Sequence, residues 1–174
     1  CATNVEIPNL SVTGNVERWK KIELAKRRLF FSLHELGVLY LSFPTRGREG
    51  LRFVFNARTS DERVITGHNQ GLVTLDVAEA DEVTRLQRQL DLGERYRTIL
   101  GHMRHEVGHY YWLVLVADSA ELDAYRAMFG DERADYGEAL RAHYARDVRP
   151  GWQSKHISHY ASSHPHEDWA ETFA

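Results

Sequence analysis

A chain of 174 residues, 43% hydrophobic and 27% charged, can bury one core and has the composition of an ordinary folded domain. A net charge of −3 supplies no global basic field for nucleic acid, and no apolar run approaches a membrane span. The single cysteine, Cys1, forbids an internal disulfide, which fits a reducing, cytoplasmic setting.

Residues 1–14 read as an extended lead-in, broken by Pro8 and Gly14. Cys1 has three readings: the last ligand of a metal knuckle whose other cysteines lie upstream, a lipid-bearing first residue, or a free thiol. A helix is expected from Val16 to Leu36, with Trp19, Ile22, Ala25, Leu29 and Leu33 inside and Lys20, Lys21, Arg27 and Arg28 outside. Such a basic amphipathic face could meet an acidic membrane or partner, but the pattern fits better a packed helix with a solvated side. Gly37 ends it.

Pro44, Gly47 and Gly50 mark a loop that carries Arg46 and Arg48. Leu51–Phe55, Val64–Ile65 and Leu72–Asp76 are strand candidates, and Thr66–Gly71 reads as a turn containing His68. Together they predict a small, antiparallel sheet, of the kind whose edge can accept an extended peptide in zinc proteases. Helical pattern resumes over Asp81–Leu90 and breaks at Gly93. A longer helix is expected from Glu94 to Val116, then helices over Glu121–Phe129 and Ala134–Arg146, and a short helix or turn around Ile157–Tyr160. A last helix starts at Pro165, a residue suited to a first turn. That helix runs into Ala174, so the chain reads as a fragment cut at both ends. The fold class is α+β: mostly helical, with the sheet ahead of the Glu94–Val116 helix.

This long helix contains His105-Glu106-Val107-Gly108-His109, an H-E-x-x-H pattern. Residues four apart on a helix share a face, so the two imidazoles can bind one metal ion. Glu106, beside them, can take a proton from a metal-activated water. Ile99, Met103, Val107, Tyr110 and Val114 form an apolar stripe on another face, so the helix is expected in a core rather than at a solvated surface.

A catalytic zinc site needs a third protein ligand. The metzincin spacing would require Gly at position 112 and His at position 115, where Trp112 and Leu115 stand. The remaining candidates cluster near the end. Glu167 and Glu171 share a helical face, so one can bind metal while the other fixes a ligand imidazole. Glu167 is the preferred ligand and Glu171 its supporting acid; His164 and His166 compete as nitrogen donors.

The Glu167-x-x-x-Glu171 pair after H-E-x-x-H resembles the gluzincin arrangement, including the thermolysin class. Tyr160, seven positions before Glu167, is similar to a tyrosine of the anthrax lethal factor catalytic domain, and the resemblance implies a role in stabilising the transition state. A resemblance covering nearly the whole chain is to the bacterial putative zinc-binding metallopeptidase family. It rests on Ala25–Leu29, Thr66–His68, Ala78–Asp81, Tyr96–Thr98, Gly101–Trp112, Phe129–Arg133 and His164–Glu171. It implies a catalytic domain over residues 15–174, one zinc ion, and a cysteine-rich zinc ribbon upstream of which Cys1 would be the last ligand. It also implies a final helix that continues past Ala174. His166 departs from the pattern, which has tryptophan there.

The activity expected is peptide-bond hydrolysis, with Glu106 as general base, His105, His109 and Glu167 on the metal, and a peptide or protein as substrate. No nucleic acid or membrane partner is expected, and the sequence does not specify an oligomeric state. Two other classes stay open: a zinc-binding docking module with vestigial catalysis, and a zinc hydrolase of a non-peptide substrate.

Overall fold

The computed structural model describes residues 3–38, 50–57, 64, 66–82, 84, 86, 98–145 and 150–174. The loop through Pro44 and Gly47, Ile65 of the second strand candidate, most of the Asp81–Leu90 helix, the Gly93 break and the Glu94 start of the long helix lie outside the described residues. The chain divides into two compact units, Cys1–Val107 and Gly108–Ala174. The α+β class holds in the described residues.

In the first unit the lead-in supplies a strand, β1 (Asn4–Glu6), and the first helix, α1, spans Asn15–Glu35. Ile22, Ala25, Leu29 and Leu33 are buried on its inner side, while Lys20, Lys21, Arg27 and Arg28 are exposed, as the periodicity predicts. Gly37 adopts φ 66°. Its N–H bonds the His34 carbonyl at 2.9 Å and the Val38 N–H bonds that of Leu33 at 3.0 Å, a paired closure that only a left-handed residue allows cheaply.

The sheet has the order β1-β2-β4-β3, with β2 at Arg52–Asn56, β3 at Gly67–Asn69 and β4 at Leu72–Asp76. Its pairing is mixed. Only β3 and β4 are antiparallel; β1–β2 and β2–β4 are parallel. The long segment containing α1 supplies the crossover that the parallel β1–β2 pair requires. The expected Thr66–Gly71 turn contracts to its last two residues. Gln70 (φ 47°) and Gly71 (φ 88°) make the tight left-handed hairpin turn, while Gly67–Asn69 pair as strand. His68 serves this hairpin: its Nε2 accepts the Gly71 N–H at 2.8 Å.

Phe53, Phe55, Val73, Leu75 and Val77 fill the core with the α1 stripe. Lys26 is also fully buried, an outcome the helical pattern did not predict. Its ammonium lies 5.6 and 5.2 Å from the Phe53 and Phe55 ring centroids, bonds Asn4, and meets Glu23 at 2.6 Å. Burial lowers the pKa of Lys26, against the opposing pull of Glu23. After β4 a single 3-10 turn, Val77–Ala80, begins at Asp76, whose carboxylate accepts the Ala78 N–H at 2.9 Å. Arg18 of α1 grips Asp81, just beyond this turn, at 2.8–3.0 Å.

The second described helix, α2, spans Ile99–Leu115, and the division between the units falls within it. Met103, Val107 and Tyr110 are buried as expected, but Val114 is 37% exposed; Tyr111 is the residue buried instead. The second unit adds α3 (Leu122–Phe129), α4 (Tyr136–Tyr144) and α5 (Pro165–Phe173), with 3-10 turns at Trp152–Ser154 and Tyr160–Ser163. Tyr125 of α3 anchors an aromatic cluster, 5.1 Å from Phe129, 5.8 Å from Trp112 and 6.0 Å from Trp169. Among the described residues no helix is long and apolar enough to cross a membrane.

Candidate metal and catalytic centre

His102, His105, Glu106 and His109 all lie on α2, so the helix itself fixes their spacing along the chain. His105 and Glu106 are buried and His109 is half-buried. Gly108, inside the motif, makes room for α5. A Cβ there would lie 3.1 Å from the Ala170 Cα and 3.1 Å from the Phe173 Cβ. Trp169 donates its indole N–H to the Gly108 carbonyl at 2.8 Å, and Tyr111 stacks on Phe173 at 5.4 Å. The absence of a side chain at position 108 therefore sets how closely α5 packs against the end of α2.

The first turn of α5 carries Glu167, 1% exposed, with its Oε1 3.6 Å from His109 Nε2. His105, His109 and Glu167 form a group that could hold a metal ion, their ligand atoms all lying within 4.8 Å of one another. Two imidazoles and one carboxylate are a donor set suited to zinc and leave a coordination position open.

Pattern reading missed a residue that shapes this group. The Tyr136 hydroxyl donates to Glu167 Oε1 at 2.6 Å. Tyr136 opens α4, directly after Asp135, which caps that helix by accepting the Glu138 N–H at 2.7 Å. Tyr160 sits in a 3-10 turn and shares a hydrogen bond with Tyr136. Burial, then the Glu167 charge and Tyr136, push the Tyr160 phenol far above its ordinary pKa, so it remains an O–H donor.

The other expected residues take distinct places. His164 caps α5: its Nδ1 accepts the His166 N–H at 3.1 Å and its Nε2 reaches the Ala134 carbonyl at 3.1 Å. Both ring nitrogens are thereby engaged in holding backbone. The His166 ring meets Trp112 edge-on at 4.4 Å and stacks near His164 at 5.2 Å, filling an aromatic position. Burial, then its neighbours His164 and His109, lower its pKa to about 4. Glu171 accepts the Ser158 hydroxyl at 2.7 Å.

Glu106 has a partner within the first unit. Its Oε1 lies 3.2 Å from His102 Nε2, and His102 Nδ1 lies 2.6 Å from Glu79 Oε2. Glu79, 3% exposed, stands in the 3-10 turn after β4 and receives the Thr66 hydroxyl at 3.0 Å on its other oxygen.

Comparison with known proteins adds a second line of support. The family model described as "Putative zinc-binding metallo-peptidase" matches residues 15–174. An uncharacterized protein of Mycobacterium bovis is 43% identical over 175 aligned positions, and so are uncharacterized proteins of two Mycobacterium tuberculosis strains. Each alignment covers all of this chain and 51% of the relative, so the chain spans about half the length of these relatives. No solved structure matches the chain.

Proposed function

The chain belongs to the family described as "Putative zinc-binding metallo-peptidase", and from that premise we propose that residues 15–174 are a catalytic domain that hydrolyses peptide bonds with one zinc ion held by His105, His109 and Glu167. The observation that carries the proposal is the close grouping of two imidazoles and a carboxylate, with Glu106 one residue from a ligand. When bound, zinc supplies Lewis acidity and lowers the pKa of a water towards about 7.

The chain's own residues perform the remaining steps. Glu106 takes the proton of the attacking water and passes it to the leaving amine. The Tyr160 hydroxyl, kept protonated by its surroundings, exchanges its bond to Tyr136 for one donated to the developing oxyanion. Tyr136 holds Glu167 in one orientation, and Glu171, fixed in turn by Ser158, supports a ligand imidazole. The substrate is a peptide or protein. The two edges of the described sheet, β1 and β3, offer backbone to which an extended chain could add.

A docking module would need the metal but not the acid. Glu106 is buried and held by His102 rather than solvated, which favours catalysis. Glu106→Gln tests this: the variant should retain zinc and lose peptide turnover, by about 10²–10⁴-fold if only the base is removed. Wild-type turnover in purified Glu106→Gln would end the proposal. His109→Ala should lose both zinc and activity. Cleavage of a peptide library with and without chelator separates a peptidase from a docking module or a hydrolase of another substrate class.

A further inference from the structure

The Glu79–His102–Glu106 line is the feature of the first unit that the zinc ligands do not explain. Three titratable side chains, each less than a tenth exposed, stand in one hydrogen-bonded row, and such an arrangement is costly unless each member is satisfied. The row has a direction. Asp76 caps the 3-10 turn, that turn carries Glu79, and Thr66 bonds the second Glu79 oxygen while accepting the Asp76 N–H at 3.3 Å. Glu79 is thus anchored at the end of β4, a strand paired on both sides. His102 is one helical turn before Glu106, but the helix alone does not choose its ring orientation. The 2.6 Å contact between His102 Nδ1 and Glu79 does.

We infer that Glu79 and His102 are positioning residues for Glu106: the sheet-anchored carboxylate orients the imidazole, and the imidazole holds the Glu106 carboxylate in the rotamer that proton transfer requires. This rests on the peptidase reading for its kinetic consequence, though not for the contact itself. The inference differs from a merely structural polar tie in what it makes the row do. A structural tie would fasten α2 to the 3-10 turn, and its loss would lower stability, zinc content and activity together. A positioning row sets one side-chain angle, and its loss would spare zinc and substrate binding while slowing the proton-transfer step.

Two measurements on the whole chain decide between them. The first needs no substrate and uses metal-free protein labelled with 15N in its histidines. Glu106→Gln should shift the His102 Nε2 resonance and Glu79→Gln the Nδ1 resonance; an unmoved Nε2 in Glu106→Gln overturns the inference. The second uses zinc-loaded enzyme. Glu79→Gln and His102→Gln should keep full zinc content and an unchanged KM, with kcat lowered about 10- to 100-fold, the scale of a misplaced catalytic group. His102→Gln, which retains an amide donor towards Glu106, should recover part of what His102→Leu loses. Adding Glu79→Gln to His102→Leu should cost nothing further, because Glu79 acts through the ring. Wild-type kcat in Glu79→Gln, or zinc and kcat lost in parallel, overturns the inference. If the wild-type chain cleaves no peptide, the peptidase reading fails, and the His102 spectra still decide whether the row holds Glu106.

Discussion

Glu167 Oε1 receives the Tyr136 hydroxyl at 2.6 Å, and Tyr160 bonds Tyr136 within the field of the same carboxylate. Removing the two hydroxyls should have different consequences. Tyr136→Phe deprives the proposed ligand of the donor that orients it, so zinc affinity should fall about 10- to 100-fold, read by chelator competition. Tyr160→Phe should leave zinc affinity alone and lower kcat about 10²–10³-fold, the usual loss of one oxyanion donor. Equal zinc affinity in Tyr136→Phe, or full kcat in Tyr160→Phe, would refute the respective assignment. Of the two tyrosines the sequence singled out only Tyr160, through its distance from Glu167 in a pattern it resembles. Tyr136 is 31 residues from Glu167 at the start of a short helix, where no periodic signal marks it.

Between elements, the closest constraint is the approach of α5 to Gly108. An alanine there would gain about 0.8–1.0 kcal/mol in helix propensity. Its Cβ would press at 3.1 Å on the Ala170 Cα, which cannot rotate away, and overpacking of this kind costs about 1–3 kcal/mol. Gly108→Ala should therefore melt lower and bind zinc more weakly, because the turn carrying Glu167 must shift. A variant with raised thermal midpoint and wild-type zinc affinity would show that the glycine is not needed for packing. In the first unit, Glu23 joins α1 to β1 through Asn4 and Lys26. Burial opposes its charge, yet the hydrogen bonds from Asn4 and Lys26 hold its pKa below the usual 4.5. A depressed folded pKa means that the unfolded chain binds more protons on acidification. The stability Glu23 contributes is thus present above 4.5 and lost as pH falls through the lower, folded value. The difference in thermal midpoint between wild type and Glu23→Gln should accordingly shrink from about pH 6 to pH 3; a constant difference would refute the linkage.

At the scale of the whole molecule, an ion bound only by the folded chain should stabilise it. Zinc at 100 times its Kd contributes about 2.7 kcal/mol, so chelation should lower the thermal midpoint and zinc should restore it. An unchanged midpoint after complete metal removal would mean that the proposed ligands do not bind zinc in the folded chain. The sequence by itself determined the α+β class, α1 and its solvated basic side, the paired histidines and the acid beside them, and Pro165 in the first turn of the last helix. These are local matters: helical and strand periods, glycine stops and a five-residue motif each act within a few residues, where covalent spacing dictates geometry. Tertiary structure decided the mixed pairing of the sheet, the burial of Lys26, the capping duty of His164, and the partners of Glu106 and Glu167. Those contacts join residues tens of positions apart, and a side chain's choice among such partners depends on which backbone segments pack together, a property that no local spacing encodes.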